Sequence, residues 1–139
     1  MTYQIPELLN QVPIYIQKAD DSLTFFLANG KFVRYYHSQD CCETVFIEDI
    51  VGNLNNLLFT PMLKAEVKVS TNDKESSDSF TYTYYTYASI KGYVDVRWYG
   101  ESNGYYSETV DIATGDWTAD MIPTTSFAAI RKHYPEFTI

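Results

Sequence analysis

An Asn-Gly pair at 29–30 constrains the fold of this chain more than any other short feature. It separates two runs of β-forming residues, "SLTFFLA" and "KFVRYYH", and Asn-Gly between such runs is the strongest local signal for a two-residue hairpin. A two-residue loop predicts that Phe26 pairs with Val33 and Phe25 with Arg34. Both faces of the hairpin then carry apolar side chains, so we expect both faces to be covered.

Strand-like patterns continue along most of the chain. Alternating or β-branched runs lie at 12–18, 44–50, 62–70, 80–88 and 93–99. The turn at 91–92 joins the last two runs into a meander, and the polar run 71–79 predicts a mobile loop.

Helical signals are few and short. One-turn helices are predicted near 6–11 and 52–60, and a C-terminal helix precedes Pro135 with an apolar stripe of Phe127, Ile130 and Tyr134. The chain is therefore predicted to be α+β, a mostly antiparallel β-sheet of about seven strands in hairpins and a meander, with short helices, one of them C-terminal. Its 139 residues predict a single domain over 1–139.

The net charge of the chain limits the kinds of molecule that it can bind. Eighteen acidic residues against ten basic ones give a net charge of −8, and this sign excludes general binding to a nucleic-acid backbone. Such a surface either keeps the protein soluble or mimics DNA and occupies a basic groove on another protein. Thirteen tyrosines favour sheet faces, interfaces and ligand platforms over a dry core, and with the two-sided apolar strands they predict a homo-oligomer.

The compartment is predicted from what the sequence lacks. The N-terminus has no basic region followed by an apolar run, and no apolar stretch approaches the roughly 20 residues that span a bilayer. The only cysteines, Cys41 and Cys42, are adjacent and cannot close a useful loop, so we expect free thiols. These features predict a cytoplasmic protein, in the cytosol of a host bacterium, with no membrane partner.

The stretch "RWYGESNGYYSE" at 97–108 is the first candidate site. A two-residue turn at 103–104 would mix polar and apolar residues on one sheet face. A register shifted by one residue pairs Val96 with Ile112, Trp98 with Val110, and Arg97 with Asp111, and it requires a bulge. The stretch is then a bulged loop that re-aims side chains; the alternative is a plain turn with packed tyrosines.

The candidate ligand-binding residues follow from this loop and from the arginines within strands. An arginine fork can hold a phosphate or a carboxylate, tyrosines can stack a base, and an asparagine can read a base edge. The set is Arg97, Trp98, Asn103, Tyr105, Tyr106 and Arg34. The alternative for Arg97 is a cross-strand ion pair with Asp111.

A second candidate patch surrounds the cysteine pair and consists of His37, Gln39, Asp40 and Glu43. Adjacent cysteines cannot both reach one tetrahedral zinc comfortably, and no second Cys/His cluster supplies the missing ligands, so no metal and no cofactor is predicted. We expect one cysteine to be buried and Asp40 to hold the loop through backbone hydrogen bonds. Glu48 and Asp49 are adjacent on a strand and are expected to face opposite sides.

Three blocks carry a family resemblance. They are His-x-Gln-Asp-Cys-Cys-Glu at 37–43, Ile-Glu-Asp-Ile-x-Gly at 47–52, and Arg-Trp-x-Gly-x-Ser-Asn-Gly-Tyr-Tyr-Ser at 97–107. Together they resemble a small domain of unknown function found widely in bacteriophages and prophages. The resemblance covers about 20–112 and leaves 113–139 as a C-terminal extension; the chain departs from the pattern at Asn53, where the family has Asp, and at Tyr82, where it has Trp.

The resemblance implies a phage or prophage accessory protein, and such proteins are often anti-defence factors. We therefore expect a non-enzymatic protein that counters bacterial immunity by binding. It would either sequester a nucleotide-derived immune signal or block a bacterial defence protein such as a CRISPR nuclease. The alternatives are a small hydrolase that uses Glu43 or Glu48 and a structural phage protein.

Overall fold

A computed structural model describes residues 1–73, 79–104 and 106–136 of the chain. Within these residues nine strands form two antiparallel sheets. The strands are β1 (Thr2–Gln4), β2 (Pro13–Lys18), β3 (Ser22–Leu27), β4 (Lys31–Tyr36), β5 (Thr44–Val51), β6 (Lys64–Asp73), β7 (Ser79–Ser89), β8 (Gly92–Ser102) and β9 (Asp111–Asp116). The predicted α+β, mostly antiparallel fold is confirmed, with two more strands than the sequence indicated.

The five-stranded sheet has the order β1-β6-β7-β8-β5. The predicted pairing of β7 with β8 across the turn at 91–92 is confirmed, and β6 pairs with the other edge of β7. The ladder between β6 and β7 continues as far as the pair Asp73 and Ser79, so the strands extend into the segment predicted as a mobile loop. Residues 74–78 of that loop lie outside the described residues.

The four-stranded sheet has the order β2-β3-β4-β9, and its central hairpin differs by one residue from the predicted register. Phe25 pairs with Val33 and Phe26 with Phe32. The loop has three residues, with Gly30 in the left-handed region at φ +88°, which is the next most common hairpin loop after the two-residue turn. As a result, Phe25 and Val33 share the inner face of the sheet.

Strand β9 pairs with β4 in the four-stranded sheet. The predicted pairing of β9 with β8 is therefore wrong, and so is the cross-strand pair of Arg97 with Asp111. Both edges of β8 are already occupied, one by β7 and the other by β5. The register with β9 was chosen because it gave each sheet face a coherent set of side chains, but that criterion could not distinguish β5 from β9 as the partner of β8.

The core lies between the two sheets and contains residues from the inner faces of both. Three tyrosines are buried there: Tyr35 and Tyr87 pack against Phe25, and Tyr85 packs against Tyr35. The expectation that tyrosines avoid the core is wrong for these three. Burial raises the pKa of all three phenols far above the ordinary value. These rings contribute apolar area to the core and remain neutral.

The C-terminal residues cover the outer face of the four-stranded sheet. Helix α1 (Phe127–His133) follows two short 3-10 turns, Ala119–Met121 and Thr124–Ser126. Ile122 and Ile130 are buried in a second cluster with Phe26, and the predicted stripe of α1 packs against it. The expected coverage of both hairpin faces is confirmed.

Candidate functional site

The outer face of the five-stranded sheet carries a cluster of aromatic rings. The run "FTYTYYTYA" sends every second residue of β7 outward, while the intervening residues enter the core. The outward rings meet those of β5 and β8, and centroids of neighbouring rings lie 5.2–6.3 Å apart. We call this set the ring cluster: Phe46, Phe80, Tyr82, Tyr84 and Tyr99.

The outer faces of the two sheets differ in how far the rest of the chain covers them. The C-terminal segment buries apolar side chains on the four-stranded sheet. The rings on the five-stranded sheet remain partly open to solvent, and Tyr84 is 38 % exposed. A protein of this size that leaves five touching rings accessible has an apolar surface suited to contact with another molecule.

Arg97 lies on the same face as the ring cluster and is paired with acidic residues of β5. Its guanidinium carbon is 5.9 Å from the Tyr82 ring centroid. Its Nη2 atom is 2.8 Å from Glu48 Oε1 and 4.0 Å from Asp49 Oδ2. A β-bulge after Ile47 exposes both acids, so the expectation that they face opposite sides is wrong.

Carboxylates border the ring cluster. We call Glu48, Asp49, Asp95 and Glu101 the acidic rim. Two of them, Asp49 and Asp95, line a shallow depression of about 350 Å³ beside Tyr84 and Arg97. The Tyr99 hydroxyl donates to Glu101 at 2.9 Å. Burial, with this acceptor, raises the pKa of Tyr99 to about 12, so its hydroxyl stays a donor at neutral pH.

Trp98 lies on the opposite side of β8 from Arg97. It is 1 % exposed and belongs to the core between the sheets. The alternation of a strand separates any two adjacent side chains in this way. A ligand on the outer face would therefore contact Arg97 and not Trp98.

The segment after β8 is anchored by a residue that sequence reasoning missed, Glu108. Its buried carboxylate accepts hydrogen bonds from Thr81 Oγ1 at 2.8 Å, from Ser102 Oγ at 2.5 Å and from Ser79 Oγ. Burial raises its pKa, but the three hydroxyl donors outweigh burial and keep it below the ordinary value. The only trace of this site in the sequence is the hydroxyl residues at the start of β7 and the end of β8.

Gly100 allows the chain to pass close to β8 there. A Cβ atom at Gly100 would lie 2.7 Å from the Glu108 carbonyl oxygen. Of the predicted loop residues, Asn103 is exposed and Tyr106 is half-buried, while Tyr105 lies outside the described residues. The segment is therefore a crossover from one sheet to the other, and not the predicted hairpin loop.

Glu43 organises the second predicted patch. Its side chain is enclosed and contacts His37 Nε2 at 3.1 Å, while the backbone N–H groups of Asp40 and Cys41 donate to it at 2.5 and 3.2 Å. The Asp40 N–H is the largest cause of a pKa below the ordinary value. Gln39 Nε2 also donates to the Glu43 carbonyl at 2.7 Å. The expected role of the Asp40 side chain in holding the loop is thus performed by Glu43.

The cysteines differ from expectation. Cys41 and Cys42 are joined in a disulfide between neighbours, so the prediction of two free thiols is wrong. Both residues are exposed, and neither is the buried small hydrophobe expected from the sequence.

The surroundings of Glu43 and Glu48 bear on the hydrolase alternative, and the grouping of acidic, histidine and cysteine side chains bears on metal binding. Glu43 is enclosed and bonded to its own loop, while Glu48 lies on an outer sheet face and pairs with Arg97. The two carboxylates therefore have different surroundings and different partners. Across residues 1–73, 79–104 and 106–136, no group of three or more His, Cys, Asp or Glu side chains is arranged to hold a metal ion.

Arg34 lies on the outer face of the four-stranded sheet, with its guanidinium carbon 5.6 Å from the Tyr36 ring centroid. Arg34 and Arg97 are therefore on opposite outer faces of the molecule. The predicted ligand-binding residues do not form one pocket. They are distributed over two sheet faces, the core and a crossover.

Comparison with known proteins identifies a family but no activity. Residues 6–112 match DUF7448, a domain of unknown function. The match begins earlier than the predicted boundary at 20, so most of the N-terminal segment belongs to the family region. No curated protein and no solved structure matches the chain. In the described part of the chain, no helix has the length and apolar character needed to cross a membrane. The match covers more than half of the sequence, and the chain belongs to the DUF7448 family.

Proposed function

We propose that this protein is a non-enzymatic phage or prophage accessory protein that counters bacterial immunity by docking onto a defence protein. The docking surface is the ring cluster with its acidic rim. The observation that carries the proposal is the contrast between the two outer sheet faces. One is covered by the chain's own C-terminal segment, and the other presents five touching, partly exposed rings.

The ring cluster has the composition of an interface centre. Tyrosine and phenylalanine contribute large contact areas with little loss of conformational entropy on binding, and tyrosine adds a polar tip. These rings already pack against one another on rigid strands. A partner that covers them gains apolar burial without reorganising the sheet.

The charge around the rings selects a basic partner. The acidic rim supplies four carboxylates, Arg97 is already paired with Glu48, and Lys68 on β6 lies across from Tyr84 on the same face. The whole chain adds a net charge of −8, which steers it toward a positive surface. Lysine and arginine side chains on a partner can contact both the carboxylates and the faces of the tyrosines. The nucleic-acid groove of a CRISPR nuclease is a surface of this kind.

The same charges disfavour capture of a nucleotide signal at Arg97. A phosphate there would displace Glu48 and would lie near Asp49 and Asp95. Like charges at these separations repel, so the arginine and the tyrosines of this face do not make a phosphate site. The homo-oligomer expected from the sequence would use the same rings, but it would bring two acidic rims together.

The test is phage plating on bacteria that carry a panel of defence systems and express the protein. Tyr82→Ala combined with Tyr99→Ala removes the centre of the ring cluster, and we expect protection of the phage to fall by at least tenfold. Tyr93→Ala is the matched control, because Tyr93 lies on β8, as Tyr99 does, is 59 % exposed and is outside the ring cluster. Circular dichroism must show both proteins folded.

Two outcomes contradict the proposal. One is equal protection by the double variant and the wild type. The other is protection that survives while light scattering shows the wild type to be a dimer and the double variant a monomer. The second result would assign the rings to self-association. A wild type that protects against none of the tested systems would count against an anti-defence role and in favour of a structural phage protein.

A further inference from the structure

The loop between β4 and β5 carries a disulfide at the surface of the protein. Cys41 and Cys42 are the only cysteines of the chain, they are joined to each other, and both are exposed. A disulfide stabilises a fold chiefly by closing a loop of the unfolded chain, and a bond between neighbours in the sequence closes none. Exposed disulfides of this kind are readily reduced and formed again, whereas structural disulfides resist reduction.

The hydrogen bonds that hold this loop do not use the sulfur atoms. The Glu43 carboxylate accepts the backbone N–H groups of Asp40 and Cys41 at 2.5 and 3.2 Å. The Glu43 carbonyl accepts Gln39 Nε2 at 2.7 Å. These bonds join backbone groups, a carboxylate and an amide, so they remain available when the bond between the two sulfur atoms is broken.

The start of the loop is fixed to the segment that leads into β9. His37 Nδ1 lies 2.8 Å from the Thr109 carbonyl oxygen, and because a carbonyl oxygen only accepts, Nδ1 donates. The Ser38 N–H donates to Asp111 Oδ2 at 2.9 Å. The exposed residues 38–42 belong to neither hydrophobic cluster. A change at the sulfur atoms is therefore confined to a surface loop that is held at both ends.

The adjacency of the two cysteines selects the kind of thiol that can open the bond. A thiol that attacks the disulfide forms a mixed disulfide with one cysteine and releases the other cysteine as a thiolate. The released thiolate is one residue away and can attack the mixed disulfide, which expels the reagent and restores the starting bond. A second thiol on the same reagent resolves the mixed disulfide in the other direction. The pair should therefore react to completion with dithiols and resist monothiols.

The charge of the surroundings adds a second selection. Asp40 is exposed beside the pair, and Glu101 lies across from Thr44 where the loop enters β5. The chain as a whole has a net charge of −8. Thiols attack as thiolate anions, so this acidic surface repels reagents that carry further negative charge. The favoured reactant is a dithiol that is otherwise neutral or that lies on a basic protein surface.

We propose that Cys41 and Cys42 form a reversible thiol–disulfide exchange site whose reactant is a dithiol. One thiolate of the dithiol attacks a sulfur of the pair, the bond between Cys41 and Cys42 breaks, and the released cysteine thiolate takes a proton from water. The second thiolate of the reactant attacks the reactant's own sulfur in the mixed disulfide, closes a disulfide within the reactant and releases the other cysteine. Two electrons and two protons pass from the dithiol to the pair, and an oxidised dithiol reverses the transfer. The docking proposal does not depend on this site.

The experiment equilibrates the purified protein with mixtures of reduced and oxidised dithiothreitol and then alkylates the free thiols with iodoacetamide. Mass spectrometry of the intact protein should show both cysteines gaining the label together, in one two-electron transition that is the same from either direction. In NMR spectra of the ¹⁵N-labelled protein, reduction should shift amides within 38–44 and leave those of the core, such as Phe25 and Val96, unchanged. The urea midpoints of the two forms should agree within about 0.3 M, because the bond closes no loop.

Single-cysteine variants test the role of adjacency. Cys41→Ser and Cys42→Ser lack the neighbouring thiol, so each should retain glutathione as a stable mixed disulfide after treatment with oxidised glutathione. The reduced wild type, treated in the same way, should retain at least about tenfold less, because the neighbouring thiol expels the glutathione. The proposal is overturned if the pair alkylates fully in oxidised dithiothreitol, if it stays closed in reduced dithiothreitol, or if reduction unfolds the protein. It is also overturned if the wild type retains as much glutathione as the single-cysteine variants.

Discussion

Replacing Glu108 by alanine should destabilise the protein more than replacing any exposed carboxylate. The side chain is buried and accepts three hydroxyl hydrogen bonds that fasten the crossover segment to β7 and β8. A hydrogen bond to a charged group contributes about 1.5–3 kcal/mol, and an unsatisfied buried donor costs about 1–3 kcal/mol. The alanine variant therefore removes an acceptor on which three side chains depend.

The three losses do not add in full. Ser79 Oγ and Ser102 Oγ lie 3.5 Å apart and can pair with each other once the carboxylate is gone. We therefore expect the free energy of unfolding to fall by about 2–4 kcal/mol, which is a large part of the 5–15 kcal/mol typical of a domain. Glu108→Gln keeps one acceptor and the shape of the side chain, and it should cost less than the alanine variant.

Urea denaturation followed by circular dichroism measures the change. With a slope of about 2 kcal/mol per molar urea, the midpoint of Glu108→Ala should fall by about 1–2 M. Glu101→Ala is the control, because Glu101 is exposed and accepts a hydrogen bond from the Tyr99 hydroxyl at the surface; its midpoint should move by less than about 0.3 M. If both midpoints move equally little, Glu108 does not anchor the crossover.

Three further predictions follow from the buried carboxylates, the C-terminal cover and the tight glycine. The pKa values of Glu43 and Glu108 are depressed in the folded state. The free energy of unfolding should therefore be constant from pH 7 to about 5 and fall as the pH drops below about 4.3. Urea titrations at a series of pH values should show a shallower fall for Glu108→Gln than for the wild type. Ile130→Ala should lower the free energy of unfolding by about 2–4 kcal/mol, because Ile130 is fully buried under the four-stranded sheet; a loss below about 1 kcal/mol would show that the C-terminal segment contributes little. Gly100→Ala should cost about 1–3 kcal/mol in thermal melts because its Cβ would press on the Glu108 backbone, and an unchanged melting temperature would contradict that contact.

The sequence predicted the elements better than their pairing. The hairpin at 29–30, the pairing of β7 with β8 about the turn at 91–92 and the C-terminal helix follow from local patterns, and the structure contains all three. The register of the hairpin depends on whether its loop has two or three residues, and the Asn-Gly pair alone does not fix that length. Strand β9 was assigned to the wrong sheet because its pattern fits an edge of either one.

The site could be predicted only in part for a related reason. Alternation along β8 separates Arg97 from Trp98, although both were predicted to bind a ligand, and it could not show which sheet face the C-terminal segment would cover. The bulge that turns both Glu48 and Asp49 outward leaves no mark in the sequence. Glu108 was missed because two of its three hydroxyl partners, Ser79 and Thr81, are distant in the sequence and meet it only in the folded sheet.

The central claim is that function resides on the ring cluster and its acidic rim. The most direct measurement is an alanine scan of all outward-facing positions of the two sheets, scored in the same cells for phage protection and for protein abundance. The account predicts that protection is lost, with abundance unchanged, at Tyr82, Tyr84, Tyr99 and the neighbouring carboxylates, and is kept at Tyr93 and Arg34. Losses of protection that concentrate around Arg34, or that occur only where abundance falls, would contradict it.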